Sequence, residues 1–176
     1  TGENLPTGLD FQVKAFFDGD DGRHYLFTET TVVAWTYEGG KVVLSNEKAL
    51  SGVRNANFAG VRSNGVVWIA YSAEVLWFTR DGQALGNSEV QNAWLDQIAG
   101  VDEDYTIYLC GRFPAAGWDN TQPHCAGISP EGIAWELSFG ERGKHVIGSV
   151  LAGDVIYVTT EDGNLYRLDD LVQPTG

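Results

Sequence analysis

Short apolar runs recur along this chain in the same order four times, each bounded by a polar turn. Four of them centre on an aromatic residue: HYLF at 24–27, VWIA at 67–70, IYLC at 107–110 and VIYV at 155–158. The aromatic anchors Tyr25, Trp68, Tyr108 and Tyr157 stand 43, 40 and 49 residues apart. Each is preceded by another short apolar run, AFF at 15–17, FAGV at 58–61, IAGV at 98–101 and IGSV at 147–150. Polar turns at 18–22, 62–65, 102–104 and 152–154 join the two runs. A third run follows each anchor, at 32–37, 75–78, 126–129 and 164–168. Turns rich in Gly and Asp come next, at Glu38-Gly39-Gly40, Arg80-Asp81-Gly82, Pro130-Glu131-Gly132 and Asp169-Asp170. Most of them supply the positive φ values that tight hairpins require. Runs such as 41–44 and 133–137 close the units, and Leu171-Val172-Gln173 is placed to close the last.

Four hairpin-linked strands repeated every 40–50 residues predict an all-β fold, a β-propeller of four blades with four antiparallel strands each. The blades fall at 11–50, 51–92, 93–142 and 143–176, with residues 1–10 as an N-terminal extension. Runs such as VIYV and GVVWIA do not alternate polar with apolar, so their strands are expected to be covered on both faces. Edge strands must be hidden, which requires the first and last units to meet. Otherwise the chain is half of a larger ring, completed by a second copy or by further sequence, or it adopts another all-β fold.

The last unit, DVIYVTTEDGNLYRLD at 154–169, resembles the repeat of quinoprotein-type propellers. The resemblance implies a blade and carries no cofactor, because no quinone-binding residues match. The second unit, FAGVRSNGVVWIAYSAEVLWFTRDG at 58–82, resembles a blade of the hemopexin-like four-bladed domains in strand length and aromatic placement. That family joins its first and last blades by a disulfide, whereas Cys110 and Cys125 here both lie in the third unit.

Charge narrows the partners. The formal net charge is −13, from 24 acidic and 11 basic residues, and the Lys and Arg form no cluster. Nucleic acids and anionic membrane surfaces would meet a repulsive field, and no apolar run is long enough to insert in a bilayer. Protein and glycan ligands stay open. The two cysteines are few, even in number and close, which predicts a disulfide. With Thr1 at the start and no Met, the chain reads as processed or as cut from something longer, and the expected location is extracellular or the cell surface.

Candidate chemistry concentrates in the third unit, where GRFPAAGWDNTQPH separates the cysteines. Long insertions in compact domains are usually functional or disordered. Trp118, Asp119, Asn120, Gln122 and His124 are expected there together, suited to stacking on a sugar ring or anchoring a protein. The alternative is that Trp118 folds back over the core. Cys110, His124 and Cys125 are also zinc-ligand types without a fourth partner. The turn at 18–22 offers Asp18, Asp20 and Asp21 to calcium, without the spacing of a complete loop site. Glu29, Glu74 and Asp162 occupy corresponding turns. If they met on the axis they would suit a cation or acid–base work on a glycan. No nucleophile elbow or phosphate loop appears, so a binding module is expected rather than an enzyme. A structural subunit that self-associates through residues 1–10 is the remaining alternative. Val90, Trp94 and Ile98, at near-helical spacing, predict one helical turn with Trp94 packed inward.

Overall fold

The computed structural model describes residues 15–18, 23–27, 31–38, 41–49, 58–61, 67–79, 83–114 and 117–169. They build four antiparallel sheets. The first contains β1 (Ala15–Asp18), β2 (His24–Phe27), β3 (Thr31–Glu38) and β4 (Lys41–Ala49). The second contains β5 (Phe58–Val61), β6 (Val67–Tyr71), β7 (Glu74–Phe78) and β8 (Ala84–Glu89). The third contains β9 (Trp94–Val101), β10 (Ile107–Phe113), β11 (Gln122–Ser129) and β12 (Gly132–Ser138). In the fourth lie β13 (Val146–Ala152), β14 (Val155–Thr160) and β15 (Leu165–Leu168). Strands neighbour one another in chain order within every sheet. The fourth strand predicted for the last sheet, and the extension 1–10, lie outside the described residues.

The chain divides into two compact units, residues 1–70 with 76–86, and residues 71–75 with 87–176. In the first unit the register pairs Phe16 with Leu26 and Phe17 with Tyr25 across β1 and β2, and Tyr25 is buried. Trp77 and Phe78 at the end of β7 are fully buried. The turn that follows is closed by the Thr79 amide donating to the Gln83 carbonyl at 2.8 Å.

In the second unit the third and fourth sheets stack face to face, β13 lying against β9 and β10. Tyr108, Cys110 and Cys125 from one sheet meet Val146, Ile156, Val158 and Leu168 from the other, with Leu151, Trp135 and Tyr166 at the margin. Gly100 allows this approach, since a Cβ there would lie 2.6 Å from the Leu151 Cβ. Burial of each Val, Leu or Ile here contributes about 1.5–3 kcal/mol. Residues 107–110 and 123–128 are buried without a break, so β10 and β11 are covered on both faces as their unalternating sequence predicts. β14 behaves differently: Ile156 and Val158 are buried while Tyr157 between them is only half-buried.

Side chains fix the turns. Asp102 accepts from the amides of Asp104 (3.0 Å) and Thr106 (2.9 Å). Its other oxygen accepts from the Tyr108 hydroxyl at 2.6 Å. Burial, then this carboxylate, pushes the Tyr108 phenol well above its ordinary pKa, so the hydroxyl remains a donor. The turn at 161–163 uses Gly163 at φ +82°, and Asp162 accepts from Thr160 and Asn164.

The helical turn expected over 90–98 does not form. β8 ends at Glu89, Asn92 takes φ +61° in a tight turn, and β9 starts at Trp94. Leu95 is fully buried between exposed Trp94 and Asp96, an alternation of period two. Pairing of β9 with β10 satisfies this backbone, so the near-helical spacing of three apolar residues was coincidental.

A cleft beside the disulfide-tied insertion

The insertion of the third sheet is held at its neck. Cys110 and Cys125 face each other across β10 and β11 and form a disulfide, with Cα atoms 4.1 Å apart. Both are fully buried, on the side of the sheet that packs against β13 and β14. Two thiolates joined in this way are not available to zinc, which sets aside the Cys110, His124, Cys125 ligand set. Among the described residues, no group of three or more His, Cys, Asp or Glu is arranged to hold a metal.

The far end of the insertion is tied too. Residues Trp118–Asn120 make one 3₁₀ turn, closed by the Asn120 amide on the Gly117 carbonyl at 2.9 Å. Thr121 is buried and its carbonyl accepts from the Gly143 amide at 2.7 Å. The Gln122 amide nitrogen donates to the Gly140 carbonyl at 3.3 Å, and the Phe139 amide donates to the Pro123 carbonyl at 2.9 Å. The insertion is thus fastened to the segment joining β12 to β13.

Asp119 and Asn120 are exposed at the tip, and Gln122 is half-buried. The Trp118 side chain lies outside the described residues. His124, expected in the displayed group, is instead buried at 4% exposure. Its Nδ1 lies 2.8 Å from the Ser138 hydroxyl, and its ring stacks on Phe113. It sits on the face of β11 opposite the disulfide and that face is covered as well, which is why alternation does not bring it out. Burial lowers its pKa, against a weaker opposing pull from Glu136.

The acidic turn residues make local bonds. Glu74 accepts from the Asn87 side chain at 2.9 Å. Asp162 is held below its ordinary pKa first by the Thr160 hydroxyl. Glu29, Asp20 and Asp21 lie outside the described residues, as does the Asp18 side chain.

A concave site opens at the same end of the third sheet as the insertion. It is a cleft of about 180 Å³ lined by Trp94, Asp96, Gly111, Arg112, His145, Val146 and Glu161. Trp94 opens β9 and pairs in register with Arg112 near the end of β10. The Arg112 guanidinium carbon stands 5.6 Å from the centre of the Trp94 ring, within cation–π range. Gly111 is required for this geometry, because a Cβ there would lie 2.0 Å from the Trp94 carbonyl oxygen. The Glu161 amide donates to the His145 carbonyl at 3.0 Å, which brings the turn after β14 to the start of β13. Trp94 is 46% exposed. The volume is below that of pockets that enclose drug-sized molecules, and suits one ring or one side chain of a larger ligand. Trp94, Asp96, Arg112 and His145 were not singled out for binding from the sequence. A Trp and an acid two residues apart in strand register, Trp94-Leu95-Asp96, is the signal that would have found the first two; nothing local points to Arg112 and His145.

No protein-family model matches the chain, and no curated protein sequence matches it significantly. The quinoprotein-type and hemopexin-like resemblances therefore stand on their residues alone. Solved structures do match. The WD40 domain of Neurospora crassa Pan2 is similar with a TM-score of 0.60 at 12% identity, covering 92% of this chain and 48% of that one. The WD40 β-propeller domain of Doa1 gives 0.57 at 15% identity, covering 92% and 50%. A computationally designed protein, Ika4, gives 0.56 at 10% identity, covering 96% and 99%. The chain is an all-β protein with the β-propeller fold. It spans about half the length of the two WD40 domains it matches.

Proposed function

We propose that the four sheets are four successive blades of a secreted or cell-surface binding module, which recognises a glycan at the loop face of its third and fourth blades. The observation that carries this reading is the cleft, where an exposed Trp94 ring converges with Arg112, Asp96, His145 and Glu161. An indole face stacks on the apolar face of a sugar ring, while carboxylates and a guanidinium bond its hydroxyls. The cleft admits a single ring, so the rest of the ligand would run outward across the tip at Asp119 and Asn120. The buried disulfide supports the extracellular assignment, because such bonds persist in oxidising compartments.

The test is a glycan array followed by titration calorimetry on any hit, using wild type and Trp94→Ala. Loss of the ring is expected to weaken binding by about 30-fold, the scale of a central aromatic contact worth ~2 kcal/mol. A hit that binds Trp94→Ala as well as wild type would place the site elsewhere. A blank array with capture of a protein ligand sensitive to Trp94→Ala would replace the glycan by a protein at the same cleft.

A further inference from the structure

Three side chains meet on the face of the third sheet that lies away from the disulfide. His124 of β11 pairs in register with Ser138 of β12, and Glu136 stands two residues before Ser138 on the same face. The buried His124 ring places Nδ1 2.8 Å from the Ser138 hydroxyl and Nε2 3.7 Å from a Glu136 carboxylate oxygen. Phe113 stacks on the ring and fixes its plane. Ser138 and Glu136 are both exposed. A histidine kept only for packing would have both nitrogens satisfied, yet Nε2 is buried without a hydrogen bond. Glu136 is placed to take it by closing about 1 Å. A nucleophile beside a base, with a third group orienting that base, is the arrangement that activates a hydroxyl. The strand edge adds a donor. The Phe139 amide donates to the Pro123 carbonyl; bonded and non-bonded pairs alternate along antiparallel strands, so the Ser138 amide points away from β11. β12 ends its sheet, and among the described residues no strand pairs on that side.

We infer that Ser138 is a nucleophile toward small carboxylic esters, with His124 as its general base and Glu136 as the residue that positions the base. Neutral His124 accepts the Ser138 proton at Nδ1 while Oγ bonds the ester carbonyl carbon. The displaced electron pair settles on the carbonyl oxygen, where the Ser138 amide donates to it. Collapse breaks the ester C–O bond, and the proton passes from Nδ1 to the departing alcohol, leaving an acyl-serine. Water then attacks the same carbon and gives its proton to His124; the carboxylic acid leaves as Ser138 recovers that proton. Glu136 stabilises the imidazolium of each step. Burial holds the His124 pKa below its ordinary value, which keeps the base uncharged in neutral solution, and Glu136 is the charged group that pulls against this among the described residues. With Glu136 alongside and a net charge of −13, the ester is one without negative charge. The site stands apart from the cleft, since Arg112 lies on the disulfide's side of β10 and His124 on the other side of the sheet. It does not depend on glycan binding there.

The test treats the purified chain with 4-nitrophenyl acetate and, separately, with a fluorophosphonate, and maps the adducts by peptide mass spectrometry. Both probes are expected to mark Ser138, and Ser138→Ala is expected to release nitrophenol no faster than buffer. His124→Gln, with unchanged far-ultraviolet circular dichroism, should slow labelling of Ser138 by about 10²–10⁴-fold, the range of a general base. Glu136→Gln should slow it less and move the midpoint of the rate–pH profile to lower pH, because the carboxylate favours the His124 cation. A Glu136 that only braced β12 would leave that midpoint in place, which would overturn its assigned part. If His124→Gln misfolds, the wild-type profile decides: labelling should fall as acid protonates His124, and a rate that is flat between about pH 8 and pH 5 overturns the base. Absence of any adduct on Ser138 overturns the inference, as does labelling of Ser138 at the wild-type rate in folded His124→Gln.

Discussion

Gly111→Ala tests the link between the strand pairing of the third sheet and the shape of the cleft. An added Cβ would lie 2.0 Å from the Trp94 carbonyl oxygen and 2.8 Å from the Leu95 Cα. Relaxed carbon–oxygen contacts between strands fall near 3.3–3.6 Å, so β10 must move from β9 by about 1 Å. Neither obstacle is a side chain that can rotate away. The movement weakens one or two ladder bonds, each worth about 1 kcal/mol, and adds about 1–3 kcal/mol of overpacking. Against this stands a gain of about 0.4–1 kcal/mol from stiffening the unfolded chain. The net loss is about 2–3 kcal/mol. Gly153→Ala is the control, since Gly153 has φ +62° and open space around its Cβ position; left-handed strain alone costs about 1–2 kcal/mol. Urea unfolding followed by Trp fluorescence reads both. With an m-value of about 2 kcal/mol/M, Gly111→Ala should lower the midpoint by roughly 1–1.5 M. Gly153→Ala should lower it by less. A Gly111→Ala midpoint within about 0.2 M of wild type would refute the close approach and, with it, the wall of the cleft.

Three further outcomes follow from the same sheet. Replacing both Cys110 and Cys125 by Ala should destabilise the chain by about 3 kcal/mol, the chain-entropy value for a loop of this length. Because both sulfurs are buried, alkylation and mass spectrometry should find the native bond intact in dithiothreitol until the protein unfolds, and prompt reduction without unfolding would contradict that burial. His124 has a lowered pKa when folded, so the unfolded chain takes up its proton first on acidification. Its contribution to stability is complete above the ordinary histidine value near 6.5 and declines as pH falls through it. Urea midpoints between pH 7.5 and 5 should fall less steeply in His124→Gln than in wild type.

The strands were readable from the chain because each is a short apolar run between turn-forming residues. Runs at 15–17, 24–27, 58–61 and 75–78 lie inside the observed β1, β2, β5 and β7. The Cys110–Cys125 bond was readable for a related reason: two cysteines flanking one insertion become cross-strand partners once the hairpin forms. Exposure was less accessible. A strand covered on both faces hides polar residues along with apolar ones, so His124 is buried although its neighbours in the insertion face solvent. Conversely, VIYV at 155–158 has the composition of an inner strand, yet one of its faces is half open. The helical reading of Val90, Trp94 and Ile98 failed because three positions cannot distinguish period 3.6 from a strand whose partners, such as Arg112 for Trp94 and Leu109 for Ile98, lie well outside the window. The cleft needed two separated segments, 94–112 and 145–161, and no local pattern joins them.

Every sheet is a plain meander, each strand bonded to the next one in the chain, with no crossover. Such a polypeptide can be lengthened or shortened by a whole repeat at any joint without rethreading what remains. Each sheet can also form as its own forty-odd residues leave the ribosome, because among the described residues no strand pairs with one from a distant repeat. The architecture is therefore open to growth by tandem duplication, and one duplicated copy can diverge while its neighbours still hold it in place. The third repeat, the one with an insertion and a covalent tie at its neck, has the form such divergence takes.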